Sequence, residues 1–85
     1  MEPAPRIEVY TTVPCGWCRR AKQLLADRRL EFVEFDVHDD DARREWLVEA
    51  TGGRRTLPQI FIDGRSIGGY EELAALLISG GLAAP

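Results

Sequence analysis

Cysteine, histidine and methionine are nearly absent from this chain of 85 residues, which holds two, one and one of them. The two cysteines, Cys15 and Cys18, are separated by Gly16 and Trp17. A disulfide between such close neighbours would tie together residues that already meet, so it cannot staple a fold. The loop-closure formula credits a loop this short with roughly 2 kcal/mol, below the ~3 of a 15-residue loop. Zinc wants four ligands, and the two cysteines with His38 fall short of that number. No apolar run approaches the ~20 residues that span a bilayer, so no membrane association is expected. Positive charge is not in excess: 11 Lys and Arg stand against 14 Asp and Glu, for a net charge of −3. A broad basic footprint for nucleic acid is thereby excluded. The stretch Met1 to Arg6 has neither a basic n-region nor an apolar h-region, so secretion is not expected and the cytoplasm is. The length has no room for a two-domain enzyme with its own dinucleotide site, and a single domain over 1–85 is expected.

What is present is a regular alternation of patterns. Ile7 to Thr11 alternates and is rich in β-formers, which predicts a strand. Pro14 interrupts the chain just before Cys15. From Trp17 to about Arg29 the period is helical, with Cys18, Ala21 and Leu25 on one face. Phe32 to Val37 reads as a second strand. Asp39, Asp40 and Asp41 suit a helix start, where carboxylates cap free N–H groups. That helix is expected to run to about Thr51, bury Trp46, Leu47 and Ala50, and stop at Gly52-Gly53. Leu57 to Ile62 is the most apolar strand. Asp63-Gly64 is a hairpin signal, and Arg65 to Ile67 is the return strand. A last helix from Tyr70 to about Ser79 buries Leu73, Leu76 and Leu77. The order βαβα followed by ββα implies a four-stranded mixed sheet with helices on both faces.

The chemistry concentrates at Cys15-Gly16-Trp17-Cys18. The pair lies where a loop from a strand enters a helix, which puts Cys15 at or near the N-cap. Free N–H groups and the helix dipole stabilise a thiolate there. Cys18, one turn in, is placed to resolve a mixed disulfide while shielded from direct attack. Gly16 leaves backbone room for a partner, and Trp17 offers a flat apolar wall. Arg19, Arg20 and Lys22 oppose the dipole. They form either a solvated basic face or a device that holds the thiolate and attracts an anionic substrate. A C-x-x-C within a βαβ pattern points to thiol–disulfide chemistry. His38 is expected as a solvated loop histidine, and Asp39 to Asp41 as a helix start rather than a cation site.

With these pieces placed, the chain resembles the glutaredoxins, in particular the small bacterial dithiol type. The resemblance rests on Val9-Tyr10-Thr11, Cys15-Gly16-Trp17-Cys18, Thr56-Leu57-Pro58-Gln59-Ile60-Phe61-Ile62 and Gly68-Gly69-Tyr70-Glu71-Glu72-Leu73, in the family's order and spacing. It implies a thioredoxin fold and the reduction of protein disulfides and glutathione mixed disulfides, with glutathione as co-substrate. Cys15 matches the family's nucleophile and Cys18 its resolving cysteine. Thr56-Leu57-Pro58 matches a segment whose proline is cis, and it would present Leu57's backbone to glutathione's cysteinyl unit. Gly69 and Tyr70 stand where the γ-glutamyl carboxylate would be received. Glu71 takes the place of the usual Asp and would pair with the ligand's amine. Trp17 would wall the site, and Arg43 is the expected partner of the glycyl carboxylate.

Three departures qualify the match. Gly16 and Trp17 replace the family's usual Pro and Tyr. Thr12 stands where a lysine is common, and Arg19 and Arg55 are cations that could replace it. Pro14 directly before Cys15 is uncommon. In some relatives a motif without the proline goes with a [2Fe–2S] cluster shared by two chains, for which Cys15 would be a ligand. Other relatives with C-G-x-C use a different low-molecular-weight thiol. The expected partners are therefore glutathione and disulfide-containing or glutathionylated proteins, with a monomer expected unless a cluster bridges two chains.

Overall fold

The computed structural model describes residues 4–81. The elements are β1 (Ile7–Thr11), α1 (Gly16–Asp27), β2 (Val33–Asp36), α2 (Asp41–Ala50), β3 (Gln59–Ile62), β4 (Arg65–Gly68) and α3 (Tyr70–Ile78). The sheet runs β2-β1-β3-β4. β1 pairs parallel to β2 and antiparallel to β3, with Val9 opposite both Glu34 and Ile60. β3 and β4 form the expected hairpin, and Ile67 is the extra residue of a bulge between Gly68 and Ser66. Asp63 and Gly64 both have positive φ, 51° and 82°, the conformation a two-residue hairpin turn needs. Asp63 also clasps Arg6, accepting its N–H at 2.9 Å and donating its own to Arg6 O at 2.9 Å.

Strand alternation sends side chains to two unequal cores. Ile7, Val9, Ile60 and Ile62 face α1 and α3, where they bury with Ala21, Leu25, Leu73 and Leu77. Tyr10 and Phe61 face the other way and meet Leu47 of α2 and Val37. Burial and the neighbouring Glu8 carboxylate both raise the pKa of Tyr10. α2 is ten residues long and Leu47 is its one buried side chain. The expectation that Trp46 and Ala50 would be buried is therefore corrected. Trp46 is 47% exposed: Leu47 takes the buried position of α2, and the Trp46 ring, about 100° round the helix, is tilted against Tyr10 and stacked on Phe61. Ala50 is exposed.

All three helices end in the same way, with paired 6→1 and 5→2 hydrogen bonds around a left-handed residue. Gly52 and Gly80 fill that position after α2 and α3. After α1 it is Arg29, at φ 57°, with Leu30 N–H donating to Leu25 O at 3.0 Å. α1 therefore stops at Asp27, two residues before the expected end. β2 is shorter than the apolar pattern predicted. Phe32 and Val37 lie outside it, and Val37 N–H still bonds Thr11 O at 2.8 Å. Among the described residues no helix is long and apolar enough to cross a membrane.

Candidate active site

Cys15 is the N-cap residue of α1. Its Sγ accepts the Cys18 N–H at 3.0 Å and lies 3.8 Å from the carbonyl oxygen of Leu57. Cys15 and Cys18 are joined as a disulfide, with their Cα atoms 5.3 Å apart. Cys15 is half-buried and Cys18 is buried at 2% exposure. The more accessible of the two sulfurs thus sits at the positive end of the helix, and its partner is buried. Such a sulfur can be attacked or attack at the surface, while the inner one serves as its second.

The Leu57–Pro58 peptide is cis, as the resemblance implied, and the Val13–Pro14 peptide is cis as well. Gln59 anchors the Thr56–Pro58 loop from below. It is fully buried, and its Nε2 donates to Thr56 O at 2.9 Å. Facing that loop is the start of α3. A Cβ on Gly69 would lie 3.3 Å from Pro58 O, so glycine there permits close approach of the two segments. Gly68 has φ +121°, and a Cβ on it would collide with the Glu72 carboxylate.

Between these segments lies a cleft of about 180 Å³. Its walls include Trp17, Thr56, Leu57, Pro58, Gly69, Tyr70 and Glu71, the residues singled out in the sequence. Trp17 is 52% exposed and leans on Tyr70, with ring centroids 5.4 Å apart. Gly69's N–H is already taken by Glu72 Oε1 at 2.7 Å. The first-turn N–H groups of Tyr70 and Glu71 remain, where a helix offers no internal acceptor.

Arg43 is not brought to this cleft. Its guanidinium lies 5.2 Å from the centre of the Phe35 ring, because adjacent positions on a helix point about 100° apart. The neighbouring Arg44 takes the other direction. Its Nε donates to Val37 O at 2.9 Å and its Nη2 to Thr12 Oγ1 at 3.0 Å. Arg44 lines a second cavity of about 530 Å³ together with Arg54 and Arg55. The two cavities share Arg54, Thr56 and Leu57, so they adjoin. Of the two cations considered in place of the lysine, Arg55 lines this cavity, whereas Arg19 lies on an outer face of α1 beside Gly16.

Two residues of the site were not singled out for it in the sequence. Arg54 and Glu72 form an ion pair at 2.8 Å that bridges the loop before β3 and the first turn of α3. The Gly69 N–H and then Arg54 hold the Glu72 carboxyl below its ordinary pKa. A Glu three positions after a helix N-cap was a readable signal for this role. The basic cluster of α1 also divides. Lys22 Nζ bonds Glu34 at 2.9 Å, and Thr11 Oγ1 bonds the same carboxylate at 2.7 Å. Burial pushes the Glu34 pKa up, but these two hydrogen bonds and the charge of Lys22 together outweigh it and the net shift is downward. His38 is exposed, with Nδ1 3.5 Å from Thr12 Oγ1. Among the described residues no three of His, Cys, Asp and Glu gather as a metal-holding group. The cluster alternative finds no support in this arrangement, in which the two sulfurs are bonded to each other.

Comparison with known proteins agrees with this geometry. A family model described as Glutaredoxin matches residues 7–67. Glutaredoxin 3 of Escherichia coli K12 is 43% identical over 76 residues, spanning 89% of this chain and 90% of the relative. Among solved structures, glutaredoxin 1 from Francisella tularensis complexed with cacodylate superposes with a TM-score of 0.78. It is 32% identical, over 89% of this chain and 95% of its own. A buckwheat glutaredoxin–glutathione complex superposes with a TM-score of 0.82 at 29% identity, over 89% of this chain and 71% of its own.

Proposed function

The chain belongs to the glutaredoxin family of thiol–disulfide oxidoreductases, and from that premise we propose that glutathione is its reductant and that glutathionylated and disulfide-bonded proteins are its substrates. The observation that carries this reading is the position of Cys15 Sγ. It stands at the N-cap of α1, 3.8 Å from Leu57 O and beside a cleft whose far wall is the start of α3. An extended peptide thiol bound along Leu57 would have its sulfur next to that of Cys15. The structure of a relative in complex with glutathione supports the choice of ligand.

In the reduced chain the Cys18 N–H and the helix dipole favour a thiolate on Cys15. That thiolate attacks one sulfur of the substrate disulfide. A new S–S bond forms to Cys15, the old one breaks, and the departing thiolate takes a proton from solvent. If Cys15 has taken up glutathione, a second glutathione thiolate attacks it. Glutathione disulfide leaves and the Cys15 thiolate returns. If Cys15 has taken up a protein, the Cys18 thiolate attacks Cys15, releases the substrate reduced and leaves the Cys15–Cys18 bond. Two glutathiones then reduce that bond.

The γ-glutamyl carboxylate fits the first-turn N–H groups of Tyr70 and Glu71. Glu71, on the cleft wall, supplies a counter-charge for the amine. Arg44, already oriented by Thr12 and Val37, faces the glycyl end from the adjoining cavity. Arg44 thereby replaces Arg43 as the proposed partner of that carboxylate.

Substitution tests the reading in a deglutathionylation assay coupled to glutathione reductase. Cys15→Ser should abolish turnover, and Cys18→Ser should keep most of it. Full turnover by Cys15→Ser would disprove the role of that sulfur. No turnover of the unaltered chain with glutathione, but turnover with another low-molecular-weight thiol, would disprove the choice of reductant.

A further inference from the structure

One face of α1 remains unused by the chemistry above. Gly16, Arg19, Arg20 and Gln23 follow each other at helical spacing and line a shallow groove of about 350 Å³ that starts beside Cys15. A Cβ on Gly16 would meet nothing within 4 Å, so the groove is open at its active-site end. Among the described residues neither Arg19 nor Arg20 has an ion-pair partner, whereas Lys22 is paired with Glu34. Arg20 is held with its guanidinium carbon 4.9 Å from the centre of the Trp17 ring. Large apolar side chains flank the nucleophile on both sides in sequence, Val13 at 57% exposure and Trp17 at 52%.

The charge order along α1 is the reverse of what helix stability favours. Its first turn holds no acidic residue and its last turn no basic one. α3 obeys the ordinary rule with Glu71 and Glu72 in its first turn, and α2 offsets its own Arg43 and Arg44 with Asp41 at its first position, whereas α1 has no such acid. Cations near a helix N-terminus oppose the dipole. The chain, acidic overall, thus keeps two unpaired cations where its own helix disfavours them and where a substrate must approach.

We propose that this groove docks substrate proteins whose segment carries an acidic side chain close to the cysteine under attack. The proposal rests on the redox reading above and names the substrate class for it. The arginines start four residues beyond Cys15, about 6 Å along the helix axis. An extended substrate segment covers that distance in about two residues, so the acidic side chain belongs two to four positions from the reacting cysteine. Trp17 and Val13 give such a segment apolar contact, and Gln23 marks the far end of the groove. There Gln23 Nε2 bonds Asp27 Oδ1 at 2.8 Å, and that carboxylate discourages further acidic residues.

The test uses the full chain, pre-reduced and freed of reductant, so that glutathione plays no part. Two synthetic peptides each carry one disulfide and differ at two positions near the reactive cysteine, Asp and Glu in one against Asn and Gln in the other. The rate of oxidation of the chain is followed by tryptophan fluorescence. The acidic peptide should react about fivefold faster at low salt, and the ratio should fall towards one at 0.5 M salt. In R19Q/R20Q the ratio should be near one at both salt concentrations. Because a change in the Cys15 thiolate affects both peptides alike, the ratio isolates docking from activation. A ratio near one in the unaltered chain, or a preference that survives in R19Q/R20Q, would overturn the proposal while leaving the redox reading intact. No oxidation by either peptide would overturn the redox reading and the proposal with it.

Discussion

Replacing Glu72 by alanine removes the group that holds the α3 end of the cleft to the Thr56–Pro58 end. Its Oε1 accepts the Gly69 N–H at 2.7 Å and the Arg54 Nη1 at 2.8 Å. Alanine leaves the N–H of Gly69, a buried residue, without that acceptor. Loss of a cap of this kind costs about 1 kcal/mol. The ion pair adds about 0.3 kcal/mol, a small share because its side chains are 43% and 40% exposed and solvent screens them. The sum of about 1.3 kcal/mol lowers Tm by about 5–10 °C for a chain of this size. Glu72→Gln keeps an oxygen for Gly69 and loses the charge alone, so it should cost about 1–3 °C. Thermal unfolding followed by circular dichroism reads both. Equal losses in the two variants would refute the assignment of the larger share to the cap. The pH dependence supplies a second check. The Glu72 carboxyl is held below its ordinary pKa by the Gly69 N–H and by Arg54. A depressed folded-state value contributes stability above the unfolded-state pKa and loses it as pH falls through the folded one. The Tm gap between the unaltered chain and Glu72→Gln should therefore be full at neutral pH and close below the ordinary value of 4.5. A gap that stays constant down to pH 3 would remove the charge from the account.

Further outcomes follow from single positions. Gly68→Ala should lose about 2 kcal/mol in urea unfolding, since the new methyl would meet Glu72 and Arg54 at a φ of +121°. Gly16→Ala, with nothing within 4 Å and a helical backbone, should gain up to about 0.5 kcal/mol in the same assay. Arg44→Gln should raise KM for glutathione about threefold, while Arg43→Gln, at Phe35, should stay within about twofold. Arg29→Gly should gain about 0.5 kcal/mol by relieving the left-handed backbone that closes α1, read as a higher Tm.

Local rules carried most of the fold. Alternation placed the strands, helical period placed the buried faces of α1 and α3, and Asp63-Gly64 and the Gly-Gly pairs marked the turns. These signals survive in one dimension because each depends on a few neighbouring residues. The boundary errors came from tertiary contacts. Arg29 adopts a conformation usual for glycine, with Leu30 N–H closing back on Leu25 O and Leu30 buried in the core. Trp46 stays half in solvent because its neighbour Leu47 takes the face of α2 that packs on the sheet.

The site divides in the same way. Cys15 and Cys18 were legible because their function needs them one helical turn apart, and that spacing is written in the chain. Which cation faces the adjoining cavity was not legible. Arg43 and Arg44 are equivalent in a sequence, and only the packing of α2 against Phe35 on one side and Thr12 on the other separates them. The pairing of Lys22 with Glu34, which leaves Arg19 and Arg20 as the unpaired cations of that cluster, likewise depends on how α1 and β2 meet in space. The sequence by itself determined the cysteine pair and the order of elements around it. The tertiary structure alone decided which charges are spent within the fold and which remain for a ligand, because ion pairing depends on distances between segments far apart in the chain.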